Sequence, residues 1–308
     1  MDAVNKRTPQ PNRGWRKTLS RNEGFFYVLP WLLGFLVFTA YPFVFSLRFS
    51  FMDYNLFKAD TKWIGIKNYL DILNTSKYIK AYKTTFRYAL LTVPIKLAFS
   101  LFIAYILNFK IRFVNFFRTA YYIPSILGSS VAISVVWRFV FKEDGIINRV
   151  LGMIGLSPIP WFGSTAYAIW IIVLLHVWQF GSAMVIFLAA LKGVPMDLYE
   201  AAEIDGASKL RQFFSVTVPM ITPVVFYNLI TQLCTAFQEF NRAYLITQGG
   251  PRGSTTLISL LIYQKAFLSY DMGLASAMAW LLFVIVAIFT AIAFLSQKYW
   301  VYYSGDER

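Results

Sequence analysis

Groups able to hydrogen-bond a polar solute recur inside segments otherwise built from apolar residues. His176, Gln179 and Ser182 fall three apart in one such segment, beside Trp178. Asn228, Gln232, Thr235, Gln238 or Glu239, and Arg242 follow at helical intervals in a later one. If the two segments run in opposite directions, His176 and Gln179 reach a depth similar to that of Gln232, Thr235 and Gln238. These groups suit the recognition of hydroxyls, with the Trp178 indole as a flat apolar face. The competing use of the same residues is hydrogen bonding between helices or to a second subunit, because a polar stripe left in lipid would be costly. Chemical catalysis is poorly served. His176 is the only histidine and Cys234 the only cysteine, so multi-histidine metal sites and internal disulfides are excluded, and no nucleophile carries a base at motif spacing. The chain has no GxxxxGKS or GxxxxGKT motif and is expected neither to bind ATP nor to act as an enzyme. Glu239 with Arg242 reads as a structural ion pair near the outer surface.

A second informative stretch, Val194 to Pro223, is polar although it lies between two strongly apolar segments. Asp197 as an N-cap with Glu200 three residues later has the pattern of a capping box, predicting a short helix through Ala201, Ala202 and Glu203. Gly206 permits a sharp turn, Ser208 can cap a second helix, and Pro219 closes that helix or begins the next segment.

Apolar residues make up 57% of the chain and charged residues 14%, against roughly 45–50% and a quarter in soluble domains. That balance predicts an all-α integral membrane protein. Its net charge of +14 is spread over tails and loops, which favours contact with anionic membrane lipids over nucleic acid. Six spans are predicted, near 25–47, 84–107, 120–140, 167–191, 219–246 and 274–295, with a re-entrant or interfacial helix over 254–267. Pro30 and Pro42 are placed within the first span as sites of bending, and Pro124 interrupts the start of the third. Ser125, Ser129, Ser130 and Ser134 give the third span a small polar surface for close packing. Lys96, inside the second span, must face protein or snorkel. The basic residues favour cytoplasmic termini. The domain reading is a cytoplasmic tail over 1–24, a transmembrane unit over 25–296 containing the loop 192–218, and a cytoplasmic tail over 297–308.

The triplet EAA at Glu200–Ala202, followed by Asp205, Gly206, Ala207 and Pro219, resembles the cytoplasmic loop of the integral permease subunits of bacterial ATP-binding-cassette importers. Asp205, Gly206 and Ala207 together with the run ITQGGP at Ile246–Pro251 narrow the resemblance to the carbohydrate branch, and WIGIKNY at Trp63–Tyr69 resembles the external segment that follows the first core helix in sugar permeases, where it could contact the binding protein. Trp63–Tyr69 also reads, on composition alone, as an aromatic anchor at the membrane interface. The resemblance implies the six-span importer permease fold, located in the bacterial cytoplasmic membrane, with the loop acting as a coupling helix. It implies a second, similar permease subunit, a pair of ABC ATPase subunits that bind ATP and Mg, an extracytoplasmic sugar-binding protein, and a sugar or oligosaccharide cargo. Coupling to the ATPase then falls on Asp197, Glu200, Ala201, Ala202, Asp205 and Gly206: Glu200 for polar anchoring, the alanines for close approach, Asp205 for local hydrogen bonding and Gly206 for the turn. The substrate pathway falls on Ser129, His176, Trp178, Gln179, Gln232, Thr235 and Gln238, with Trp178 stacking on a sugar face. The alternative reading is a secondary transporter or channel for a small polar solute, which needs the polar membrane faces but not the docking loop and often shows internal repeats; no convincing duplication is present.

Overall fold

The computed structural model describes residues 25, 27–58, 60–109, 112–128 and 130–303. Ser129, the tail over 1–24 and the last residues of the C-terminal tail lie outside the described residues. What is described is almost wholly helical. Helix α1 (Tyr27–Ser50) leads into a two-residue antiparallel strand pair, β1 (Met52–Asp53) with β2 (Lys62–Trp63), and a short helix α2 (Lys67–Asn74). Then follow α3 (Ser76–Asn108), α4 (Val114–Leu127), α5 (Val131–Val140), α6 (Ile146–Met153), α7 (Ala168–Trp178), α8 (Gly181–Lys192) and α9 (Met196–Ile204). The chain ends in α10 (Lys209–Phe237), α11 (Ile258–Leu268) and α12 (Met272–Trp300).

Four helices, α1, α3, α10 and α12, are long and apolar enough to cross a membrane, and the number rises to six if the bent pairs α4/α5 and α7/α8 each count as one span. The fold is thus that of a multi-pass, all-helical membrane protein. Its spans are less regular than the apolar runs suggest. The expected third span starts at Val114 rather than 120 and breaks after Leu127, with Pro124 inside α4 instead of interrupting its start. The fourth bends by 45° between Trp178 and Gly181. The fifth begins ten residues earlier than expected, at Lys209, and stops at Phe237, short of Ile246. The second reaches out to Ser76 because Ala81 and Thr85 pack inward while Lys77, Lys80 and Lys83 stay exposed.

Proline explains some of the local geometry. It has no N–H and its ring crowds the carbonyl one turn back, so a helix that continues through proline must widen. Leu36–Ala40 ahead of Pro42 and Phe213–Thr217 ahead of Pro219 are both π-helical, and both helices run on. Pro219 therefore neither closes a helix nor starts one. It lies within the unbroken α10.

Helix α3 is the centre of the bundle, packed against α7, α8 and α10. Its buried face is rich in small residues, Ala81, Ala89, Ser100 and Ala104, which let neighbouring helices approach. Lys96 on the same face is buried and does not snorkel.

The bend in α7/α8 frees backbone groups that lipid cannot satisfy, and neighbouring helices supply the partners. Ser125 Oγ of α4 accepts from the Ser182 N–H at 3.0 Å, and Ser100 Oγ of α3 donates to the Phe180 carbonyl at 3.3 Å. Gly181 is what lets α4 come this close. A Cβ there would lie 2.7 Å from Tyr122 Cα and 2.9 Å from Ser125 Oγ. Gly181→Ala should therefore destabilise the detergent-purified protein by about 1–3 kcal/mol, read as a lowered thermal midpoint. Gly152→Ala, with nothing within 4 Å of the added carbon, should leave the midpoint close to that of the parent.

Candidate functional site

Two of the three main interruptions in the apolar helices are joined directly to the third by side chains. Gln179 sits in the α7/α8 break and donates from Nε2 to the Gly128 carbonyl in the α4/α5 break. Arg242, just past the end of α10, donates from Nη2 to Gln179 Oε1 and from Nη1 to Glu239 Oε2. The Arg242 N–H also donates to Glu239 Oε1 at 3.0 Å. Glu239 is buried, with a side chain 4% exposed, and Arg242 is nearly so at 13%. The expected ion pair is thus formed, and it is buried among the helices. The cause is the stop at Phe237, after which the chain turns and the π-helical turn Ala243–Thr247 packs on α5 and α7.

His176 extends this cluster. Its Nδ1 lies 2.7 Å from Tyr88 Oη of α3 and 3.8 Å from Glu239 Oε2. Removing charges from water costs several kcal/mol per ion, and only close pairing with further hydrogen bonds offsets it. Here the carboxylate meets a guanidinium, a backbone N–H and an imidazole edge.

A cleft of about 490 Å³ opens beside the cluster. It is lined by Gly128, Ser134, Thr231, Cys234, Thr235, Gln238, Glu239, Phe240, Asn241 and Arg242. Of the residues expected to face a pathway, Thr235 and Gln238 line this cleft. His176 and Gln179 are buried and do not line it, and Gln179 touches its wall through Gly128 and Arg242. Trp178 packs on Trp137 with ring centroids 5.7 Å apart. Gln232 is buried, and its Oε1 has no hydrogen-bond partner among the described residues. Gly128, Ser134, Asn241 and the charged pair belong to the cleft wall but were not singled out as pathway residues. Glu239 and Arg242 did stand on the polar stripe of the fifth apolar segment, which was the available signal. Chemically the cleft presents hydroxyls, amides and a charge pair along a wall that also includes Phe240 and Cys234, a mixed lining suited to holding and releasing a polyhydroxylated solute.

At the far end of α10 lies the polar stretch. The expected capping box is absent: Pro195, with φ −59° and ψ 137°, sets the boundary, α9 starts at Met196, and no side chain caps it. Asp197 falls inside the first turn, where its carboxylate meets the positive end of the helix. Gly206 makes the turn at φ +74°, and Ala207 N–H donates to the Ala202 carbonyl across it at 2.9 Å. Ser208 caps α10, its Oγ accepting from Arg211 N–H. The exposed Asp205 carboxylate takes no hydrogen bond among the described residues, contrary to its expected role. Glu200, Ala201 and Asp197 are exposed and Ala202 half-buried.

Three contacts tie α9 and its turn to the base of α10. Tyr199 Oη and Thr217 Oγ1 are 2.8 Å apart, the buried Gln212 donates to the Ala207 carbonyl at 3.1 Å, and Lys209 pairs with Glu203 at 3.1 Å. The last is exposed and contributes little.

Cutting the interior pair on one side leaves the other charge stranded. Arg242→Met should destabilise the protein by about 3–5 kcal/mol, and the double variant Glu239→Gln/Arg242→Met should recover most of that loss, as checked by thermal unfolding of the four members of the cycle.

Comparisons with known proteins converge on one family. The sequence profile described as "Binding-protein-dependent transport system inner membrane component" matches residues 88–301. The probable ABC transporter permease protein YesP of Bacillus subtilis is 45% identical over 289 residues, covering 92% of this chain and 93% of the relative. The probable starch degradation products transport system permease protein AmyD of Thermoanaerobacterium thermosulfurigenes is 31% identical over 277 residues, covering 88% and 93%. A chain of a bacterial alginate ABC transporter, solved with an alginate pentasaccharide-bound periplasmic protein, superposes with a TM-score of 0.78 at 22% identity, covering 93% of this chain and 98% of that one. This chain belongs to the family of inner-membrane permease components of binding-protein-dependent ABC transport systems.

Proposed function

We propose that the chain is one permease half of an ATP-driven importer for a saccharide, and that α9 is its coupling helix. The observation that carries this reading is mechanical. An exposed helix, α9, is tied through Tyr199 and Gln212 to the base of α10, and α10 runs without interruption to the cleft lined by Thr231, Thr235 and Gln238. At 1.5 Å per residue, its 29 residues make a lever of about 44 Å.

In this reading the chain crosses the membrane six times, each bent pair counting once, with both termini and the loop 192–218 in the cytoplasm. A second, homologous permease completes the pathway. A pair of ABC ATPase subunits, binding ATP and Mg, docks on the two coupling helices, and an extracytoplasmic binding protein delivers cargo. Met196, Ile204 and Leu210 are exposed at 68, 87 and 70% and give α9 and its neighbour an apolar contact for the ATPase, with Asp197 and Glu200 adding polar anchors. Closure of the ATPases around nucleotide displaces α9, α10 follows as a unit, and the cleft wall shifts between access states. No proton or covalent step falls to this chain. The saccharide assignment draws on the family, on the starch products and alginate named for its relatives, and on the hydroxyl- and amide-lined cleft. Thr235 and Gln238 are placed in direct reach of cargo, while His176 and Gln179 hold Arg242 and Glu239 behind it.

The test is uptake of labelled oligosaccharides by vesicles containing the complete assembly. Uptake should require ATP and the binding protein. Gly206→Pro, which cannot adopt the positive φ of this turn, should lower uptake and ATPase association together by about tenfold or more, equivalent to 1.4 kcal/mol of lost docking. Undiminished uptake without the ATPase would replace this reading with a secondary carrier or channel.

A further inference from the structure

A second cavity, of about 380 Å³, lies where α5 ends and the connection to α7 begins, and it takes no part in the proposed cargo path. Val135, Phe139 and Phe162 form an apolar wall, and Arg138 and Lys142 complete the lining. Arg138 lies in the last turn of α5 and Lys142 just past its end, and both face the same cavity. Neither forms an ion pair among the described residues, and Lys142 Nζ hangs over the Phe139 ring, 5.9 Å from its centroid. Glu143 and Asp144 follow in the chain but do not line the cavity.

Aromatic rings mark its depth. Trp137, Phe141, Trp161 and Tyr167 pack in sequence with centroids 5.3, 5.1 and 6.0 Å apart immediately beside it. Such clusters gather at the headgroup level of a bilayer. The outer wall is open: Val135 and Phe139 are 45 and 63% exposed, as befits side chains that meet hydrocarbon. Two unpaired cations above an apolar slot at headgroup depth complement a phosphate that carries an acyl chain.

We propose that this slot is a binding site for an anionic glycerophospholipid. Arg138 and Lys142 hold the headgroup phosphate, and an acyl chain lies along Val135, Phe139 and Phe162. A soluble anion would have no use for the apolar wall. The inference depends on the bundle lying in a membrane and not on the cargo.

Native mass spectrometry of the detergent-purified complete transporter, titrated with phosphatidylglycerol or phosphatidylcholine, tests this. Phosphatidylglycerol should be retained in preference. Arg138→Gln should weaken retention roughly fivefold, and Arg138→Gln/Lys142→Gln roughly 25-fold, from the attraction typical of one basic residue at an anionic surface. Arg149→Gln, removing a cation outside the slot, should change nothing. On the unaltered protein, a photoactivatable phosphatidylglycerol should label the segment Val135–Phe162, which keeps the proposal testable if the double variant fails to fold. Equal retention by the double variant, equal affinity for phosphatidylcholine, displacement by millimolar inorganic phosphate, or no labelling because a partner permease covers the slot would each overturn it.

Discussion

The architecture depends on how a bundle this apolar keeps charges inside. Glu239 and Arg242 are buried among helices with few other polar partners, and each is tolerable only because the other is there. Their requirements propagate outward. Arg242 needs a further acceptor, which Gln179 provides, and Gln179 needs a partner for its amide, which the Gly128 carbonyl provides. Each of these groups lies at or beside a break in a helix, where backbone that would otherwise be bonded along the helix is free to meet a side chain. Charge burial and helix interruption therefore support one another: the breaks create the acceptors, and the charges hold the broken ends together.

The contrast with α3 and α10 bears on the proposed coupling role. These two run long and unbroken, and α10 absorbs Pro219 by widening into a π-helical segment instead of stopping. A rigid helix transmits displacement along its length, whereas a hydrogen-bonded break can rearrange. With α9 proposed as the coupling helix, placing the rigid element between α9 and the cleft, and the breaks around the cleft, would put stiffness along the path of the signal and adaptability at its end. The same economy appears at the α7/α8 bend, where serine hydroxyls from α3 and α4 meet the freed backbone groups so that the bend carries little unsatisfied polarity.

Much of this was legible in the sequence. Composition and the spacing of apolar runs indicated a helical membrane protein, the EAA stretch indicated the family, and Gly206 and Ser208 marked the turn and the cap at α10. What was hidden has physical causes. Apolar runs report immersion in lipid but not continuity of the backbone, so breaks at Gly128 and Gln179 leave no trace in hydropathy. Proline has opposite consequences at different sites, tolerated inside α4 and α10 yet setting the start of α9, because neighbouring helices and π turns can re-satisfy the freed groups. Asp197 followed by Glu200 matched a capping box, but Pro195 fixed the helix start two residues too early for it. The stripe from Asn228 to Arg242 was visible as a stripe. Its division into buried Asn228 and Gln232 and cleft-lining Thr235 and Gln238 depends on where α10 stops, which local sequence does not report.

The central claim is that α10 carries the nucleotide signal from α9 to the cleft. Its most direct test is a pulsed electron-spin distance measurement across the cleft, with labels at Ser134→Cys and Asn241→Cys in a Cys234→Ser background, on the complete transporter with and without a non-hydrolysable ATP analogue. The distance should shift when nucleotide binds, and the shift should vanish when two glycines are inserted after Thr217 to uncouple α9 from the upper part of α10, provided nucleotide still binds. An unchanged shift in the inserted variant would show that the signal reaches the cleft by another route.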